Sequence, residues 1–169
     1  MGYNKELFEQ SQEGRLAVLN KLRNSSTVIV GIGNTLKGDD GAGPLVCEQI
    51  RGKVCAEVID AGTVPENYIQ KIIKKAPQNL LIIDAIDFGA SAGTINILKP
   101  EQLNSFAFST HTLSPRLFAD MVSQETKVNV YFVGIQPAQI RLGQPLSKQV
   151  NEAIQWLAGT LAKIFPLIK

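Results

Sequence analysis

The chain has 169 residues, of which 44% are apolar and 19% charged, with a formal net charge of +2. That length suits one domain with a real core, and two full domains would be cramped. The charge is too small and too scattered for a nucleic-acid binder, since the longest basic run is Lys74-Lys75. No apolar run approaches the ~20 residues that span a bilayer. Residues 1–10 are polar and lack the apolar stretch of a secretion signal. We therefore expect a cytoplasmic protein without membrane insertion, and take a monomer as the default. Cys47 and Cys55 lack C-x-x-C spacing, and in a reducing compartment each is expected to be a small apolar filler, not half of a disulfide.

Residues 5–23 predict a first helix, because Leu16, Leu19 and Leu22 recur at helical spacing, with Gly14 a point of interruption. The run 27–33, TVIVGIG, is β-branched and apolar throughout, as befits a strand buried on both faces. A helix over 42–51 follows, then a short strand at 57–59 ending in Asp60-Ala61-Gly62. Pro65 opens a helix to Lys75, at an early position where its missing N–H costs nothing. Residues 80–83, LLII, read as another buried strand ending at Asp84, and 93–98 alternate like an edge strand. Ser114 is placed to cap a helix over 115–122, a strand follows at 128–135, and an amphipathic helix over 147–165 closes the chain. Strands alternating with helices predict an α/β fold, a mainly parallel twisted sheet with helices on both faces. Ligands of such sheets bind beyond the carboxyl ends of the strands.

Chemistry-bearing residues collect at those ends. After the first strand comes GIGNTLKGDDGAG, residues 31–43. Its Gly-x-Gly opening lacks the third glycine of a dinucleotide fingerprint, with Leu36 in its place, and no Gly-Lys-Ser/Thr makes it a Walker loop. Asp39 and Asp40 stand where a helix begins, so a phosphate there would meet two carboxylates. The loop suits a cation or an activated water better than an anion. Asp39 has a plainer role as an N-cap. Adjacent side chains point apart, so one of the pair is expected to be left for other work. Asp84 ends a buried run and needs a hydrogen-bond or metal partner there, whereas Asp60 and Asp87 read as turn residues. His111, the only histidine, precedes the helix at Pro115. If carboxylates and His111 converge, they form an oxygen, oxygen, nitrogen site suited to a borderline divalent metal such as nickel or zinc. A Gly-x-Ser-x-Gly elbow and His-Glu-x-x-His are both absent, and both cysteines are expected inside elements, with no basic residue close enough in sequence to suggest activation.

Taken together, residues 31–34 (GIGN), 38–44 (GDDGAGP), 60–67, 81–89, Ser109-Thr110-His111 and 134–137 (GIQP) resemble, in order, the blocks of the hydrogenase maturation endopeptidases. The resemblance covers about residues 27–160 and leaves 1–26 as an N-terminal helical extension of a single domain spanning 1–169. The Asp-Asp pair and Pro65-Glu66-Asn67 look most like the branch serving formate-hydrogenlyase and energy-converting hydrogenases. The resemblance implies a three-layer α/β/α sandwich. It also implies metal ligation and catalysis by Asp40, Asp84 and His111, with Asp39 outside the ligand set. The implied activity is an aspartic-type endopeptidase that removes the C-terminal extension of a nickel–iron hydrogenase large-subunit precursor after nickel insertion. The metal is then nickel, that of the substrate, with zinc able to occupy the same ligands. A non-catalytic maturation chaperone binding nickel or the precursor would carry the same residues. A nucleotide-binding module is opposed by the loop chemistry, and a peptidase with another substrate stays open.

Overall fold

The computed structural model describes residues 11–103, 107–108 and 113–167. Its sheet contains β1 (Thr27–Ile32), β2 (Glu57–Gly62), β3 (Asn79–Asp87), β4 (Ile95–Leu98), β5 (Ala107–Phe108) and β6 (Asn129–Ile135). The strand order is β2-β1-β3-β6-β4, with β5 paired to the end of β3. β2, β1, β3 and β6 run parallel, while β4 is an antiparallel edge on β6 and β5 is antiparallel to β3.

The period-two pleat divides the apolar strand residues between two helical layers. Ile29, Leu81, Ile83, Val133 and Ile135 face α1 (Gln12–Asn20), α2 (Ala42–Ile50) and α5 (Lys148–Ile164). Val28, Val30, Leu80, Ile82 and Phe132 face α3 (Ile69–Lys75) and α4 (Pro115–Glu125). Burying each large aliphatic contributes about 1.5–3 kcal/mol, and on the central strands both parities are apolar because both faces are covered. This is the α/β/α sandwich that the sequence predicts.

The helix starts follow local chemistry. The hydroxyls of Ser11, Ser114 and Ser147 accept from the backbone N–H three residues on, at Gly14, Leu117 and Val150. Gly14 therefore sits in the first turn of α1 and does not interrupt it. Leu19 and Leu22 are buried in the core layer that includes α5, and Leu16 is half-buried. The stretch from Pro65 divides into a 3₁₀ turn, Pro65–Tyr68, and then α3.

Three expectations are corrected. β3 does not end at Asp84 but runs to Asp87, because β5 pairs with Ile86 and Asp87 and prolongs it. β4 shows no exposed face: all four residues are buried, Asn96 included. Cys55 is exposed and lies in the connection between α2 and β2, so only Cys47 is a buried filler.

Candidate active site

The carboxyl rim of the parallel strands is built around the loop after β1. Gly33, at φ +144°, has a left-handed backbone that favours glycine, and a Cβ there would strike the carbonyl oxygen of Asp40. Gly43 has no such torsion, but a Cβ on it would strike the Ile83 carbonyl oxygen and meet the Ile32 nitrogen at 2.7 Å. The glycine spacing is thus a packing requirement. It seats the start of α2 on the ends of β1 and β3 and folds the loop back over them.

The two aspartates in this loop have opposite surroundings, although both are buried. Asp39 is saturated. Its Oδ2 accepts from the backbone N–H of Ala138 (2.8 Å) and Gln139 (3.1 Å) and from the Ser147 hydroxyl (2.9 Å). Its Oδ1 accepts from the Ser147 N–H at 2.7 Å. Asp39 is therefore not an N-cap: it lies within a 3₁₀ turn, Gly38–Gly41, that follows Lys37, and the N-cap position of α2 is held by Gly41. It ties the β1 loop to the β6–α5 connection and to the start of α5. Asp40 Oδ2 accepts from the Asn34 N–H at 3.0 Å, while Oδ1 is buried with no hydrogen-bond partner among the described residues. Leaving a buried carboxylate oxygen without a donor is costly, and such sites concentrate where function requires them.

Asp84 is fully buried in β3, in register with Gly134 of β6. The pleat puts it on the face of Ile82 and Ile86, which α3 and α4 cover. β6 ends one pair later, at Ala85↔Ile135. Asp84 therefore marks the rim of the parallel sheet even though β3 continues. The α2 start contacts β3 at Ile83, so Asp40 and Asp84 belong to one rim. His111, the third expected member, lies outside the described residues, between β5 and the Ser114 cap of α4 in sequence.

Asp60 and Asp87 take the expected turn roles, their Oδ1 atoms accepting from Gly62 N–H and Gly89 N–H two residues on. Asp60 also lines a cleft of about 240 Å³ between the ends of β1 and β2, with Gly33, Asn34, Thr35, Gly62 and Thr63. A larger hollow, about 430 Å³, lies by Arg15 and Trp156 near edge strand β4 and has no carboxylate in its lining. Cys47 is excluded as a nucleophile: burial first, and the Asp60 charge second, push its thiol up to about 12, and its Sγ contacts the Ile59 carbonyl at 3.5 Å.

Two residues that hold the rim together were not singled out by sequence patterns. Gln136 is buried. Its Oε1 accepts from Phe88 N–H (2.9 Å) and Ala90 N–H (3.2 Å), and its Nε2 donates to Asp87 Oδ1 (3.1 Å) and the Pro137 carbonyl (3.2 Å). Ser147 was legible as the start of a helix, but its bond to Asp39 spans 108 positions and has no local signature. Gln136 had one signal, its place in the GIQP block.

Residues 47–164 match the family described as HycI, hydrogenase maturation protease. The chain is 34% identical over 131 residues to the hydrogenase 3 maturation protease of Escherichia coli strain K12, covering 76% of this chain and 83% of that protein. The NiFe hydrogenase maturation protease HycI from Thermococcus kodakarensis superposes with a TM-score of 0.80 at 31% identity, over 88% of this chain and 97% of that one. The endopeptidase HycI of E. coli superposes at 0.74 and 33% identity, over 82% and 90%. With this rim, this sheet order and these relatives, the chain belongs to the hydrogenase maturation protease family.

Proposed function

We propose that this protease acts on a nickel–iron hydrogenase large-subunit precursor, removing its C-terminal extension by a single cut once nickel has been inserted. The observation that carries the reading is Asp40. One of its carboxylate oxygens is fixed by Asn34 and the other is buried without a partner among the described residues, at the carboxyl rim of the sheet. A pre-oriented acceptor of this kind fits a cation or the proton of an attacking water. Asp40, Asp84 and His111 supply an oxygen, oxygen, nitrogen donor set that suits nickel, and zinc would fit the same donors. The nickel is that of the precursor and thus part of the substrate. Bound there, it presents the adjoining chain segment to the carboxylates.

In the cut, a carboxylate of this set takes a proton from water as the water oxygen adds to the scissile carbonyl carbon. The proton then passes to the departing amine as the C–N bond breaks. No serine or cysteine nucleophile is required. The enzyme works as a cytoplasmic monomer. No described helix is long and apolar enough to cross a membrane.

The test follows tail release from nickel-loaded precursor by mass spectrometry. Wild type releases the tail and Asp40→Asn, correctly folded, does not; normal cutting by Asp40→Asn overturns the mechanism. His111→Ala is expected to cut with poorer discrimination between loaded and empty precursor.

A further inference from the structure

Beside Asp40 the surface turns apolar. Leu36 is 67% exposed, Leu142 71% and Ile140 41%, and exposed apolar side chains that are grouped, unlike scattered ones, mark an interaction surface. The three belong to two loops that are stitched together. Gly143 N–H donates to the Leu36 carbonyl at 2.8 Å, and Asp39 N–H donates to the Gln139 carbonyl at 2.9 Å. Leu36 N–H is itself held by Asn34 Oδ1 at 2.9 Å, and the Gln139 side chain donates to the Pro145 carbonyl at 2.9 Å. Beneath them the Asp39 carboxylate grips Ala138, Gln139 and Ser147. The leucines are thus displayed on backbone fixed at both ends, which lowers the ordering cost of binding.

The charged side chains of these two loops that are not buried are basic. The acids of these loops, Asp39 and Asp40, are buried, while Arg141 is exposed and Lys37 half-buried. Lys148, at the start of α5, is exposed and only loosely paired with Glu152 at 3.9 Å. An apolar centre with a basic rim fits a protein surface that offers apolar side chains bordered by carboxylates.

We infer that Leu36, Ile140 and Leu142, rimmed by Arg141 and Lys37, form a docking platform for the folded body of the precursor, an acid-bordered apolar surface. This rests on the substrate reading above and adds where the precursor is gripped. The platform is continuous with the reacting centre. Asn34 holds both the Leu36 N–H and the Asp40 carboxylate, so docking sets the position of the cut relative to Asp40. A short tail segment alone misses this contact.

The experiment compares wild type with Leu36→Ser/Leu142→Ser and with Arg141→Glu. It measures cleavage kinetics on nickel-loaded full-length precursor and affinity for the same precursor by biolayer interferometry. The double variant is expected to raise KM at least about tenfold and to weaken binding in step, with kcat within twofold. Arg141→Glu is expected to weaken binding more at low salt than at high salt. Unchanged KM and affinity in a folded double variant overturn the platform. So does sedimentation showing that wild type dimerises through these leucines and the double variant does not. If wild type binds the precursor but does not cut it, the cleavage reading fails, while the affinity comparison still decides the platform.

Discussion

Replacing Asp39 by Asn separates the two neighbouring aspartates most sharply. The carboxylate receives four hydrogen bonds, three on Oδ2 and one on Oδ1. An amide has one accepting oxygen. In its better orientation that oxygen keeps Ala138, Gln139 and the Ser147 hydroxyl, and the NH2 group then faces the Ser147 N–H, donor against donor. One charge-assisted bond is lost, one part-buried N–H is orphaned and three bonds weaken. At ~1.5–3 kcal/mol for a bond to a charged group and ~1–3 kcal/mol for an orphaned donor, with relaxation offsetting part, Asp39→Asn should cost about 2–4 kcal/mol. For a chain of this size that lowers Tm by about 5–15 °C. Asp40→Asn differs. Its oxygen keeps the Asn34 N–H, and a neutral amide replaces a buried carboxylate with an unpartnered oxygen, so stability should stay within about 1 kcal/mol of wild type. Urea unfolding followed by circular dichroism reads both. An Asp39→Asn loss below about 0.5 kcal/mol, or an Asp40→Asn loss as large as that of Asp39→Asn, refutes this division of labour.

Gly43→Ala forces a Cβ into the Ile83 carbonyl and the Ile32 nitrogen, and should cost about 3 kcal/mol, read as a lowered Tm or loss of soluble protein. Gln136→Leu removes the acceptor that the Phe88 and Ala90 N–H groups share and should cost about 2–4 kcal/mol, with faster hydrogen exchange at those two amides. At pH 8 one thiol, Cys55, should react quickly with a disulfide reagent in the native protein and two in denaturant. With Cys47 pushed up to about 12, its protonated form dominates throughout the neutral and mildly basic range. Prompt native labelling at Cys47 contradicts its buried, protonated state.

The layers of the fold were legible because strand and helix periods differ and the central strands are apolar at both parities. The end of β3 was not, because what extends it is a two-residue partner, β5, too short to leave a pattern. At the site, the expectation that the two adjacent aspartates have different surroundings agrees with their hydrogen bonds, four on Asp39 and one on Asp40. Which aspartate does which depends on Ala138, Gln139 and Ser147, about a hundred positions downstream, so no local rule assigns it. The capping role expected of Asp39 failed for the same reason: local propensity gave way to a long-range demand for an acceptor. Gln136 illustrates the limit again, since a buried glutamine becomes intelligible only when the amides at Phe88 and Ala90 converge on it.

The most direct test mixes the purified protein with nickel-loaded and nickel-free large-subunit precursor and follows the C-terminal tail by mass spectrometry. The account predicts release from the loaded precursor and none from the empty one. An intact tail on loaded cognate precursor, or equal release from both forms, contradicts it.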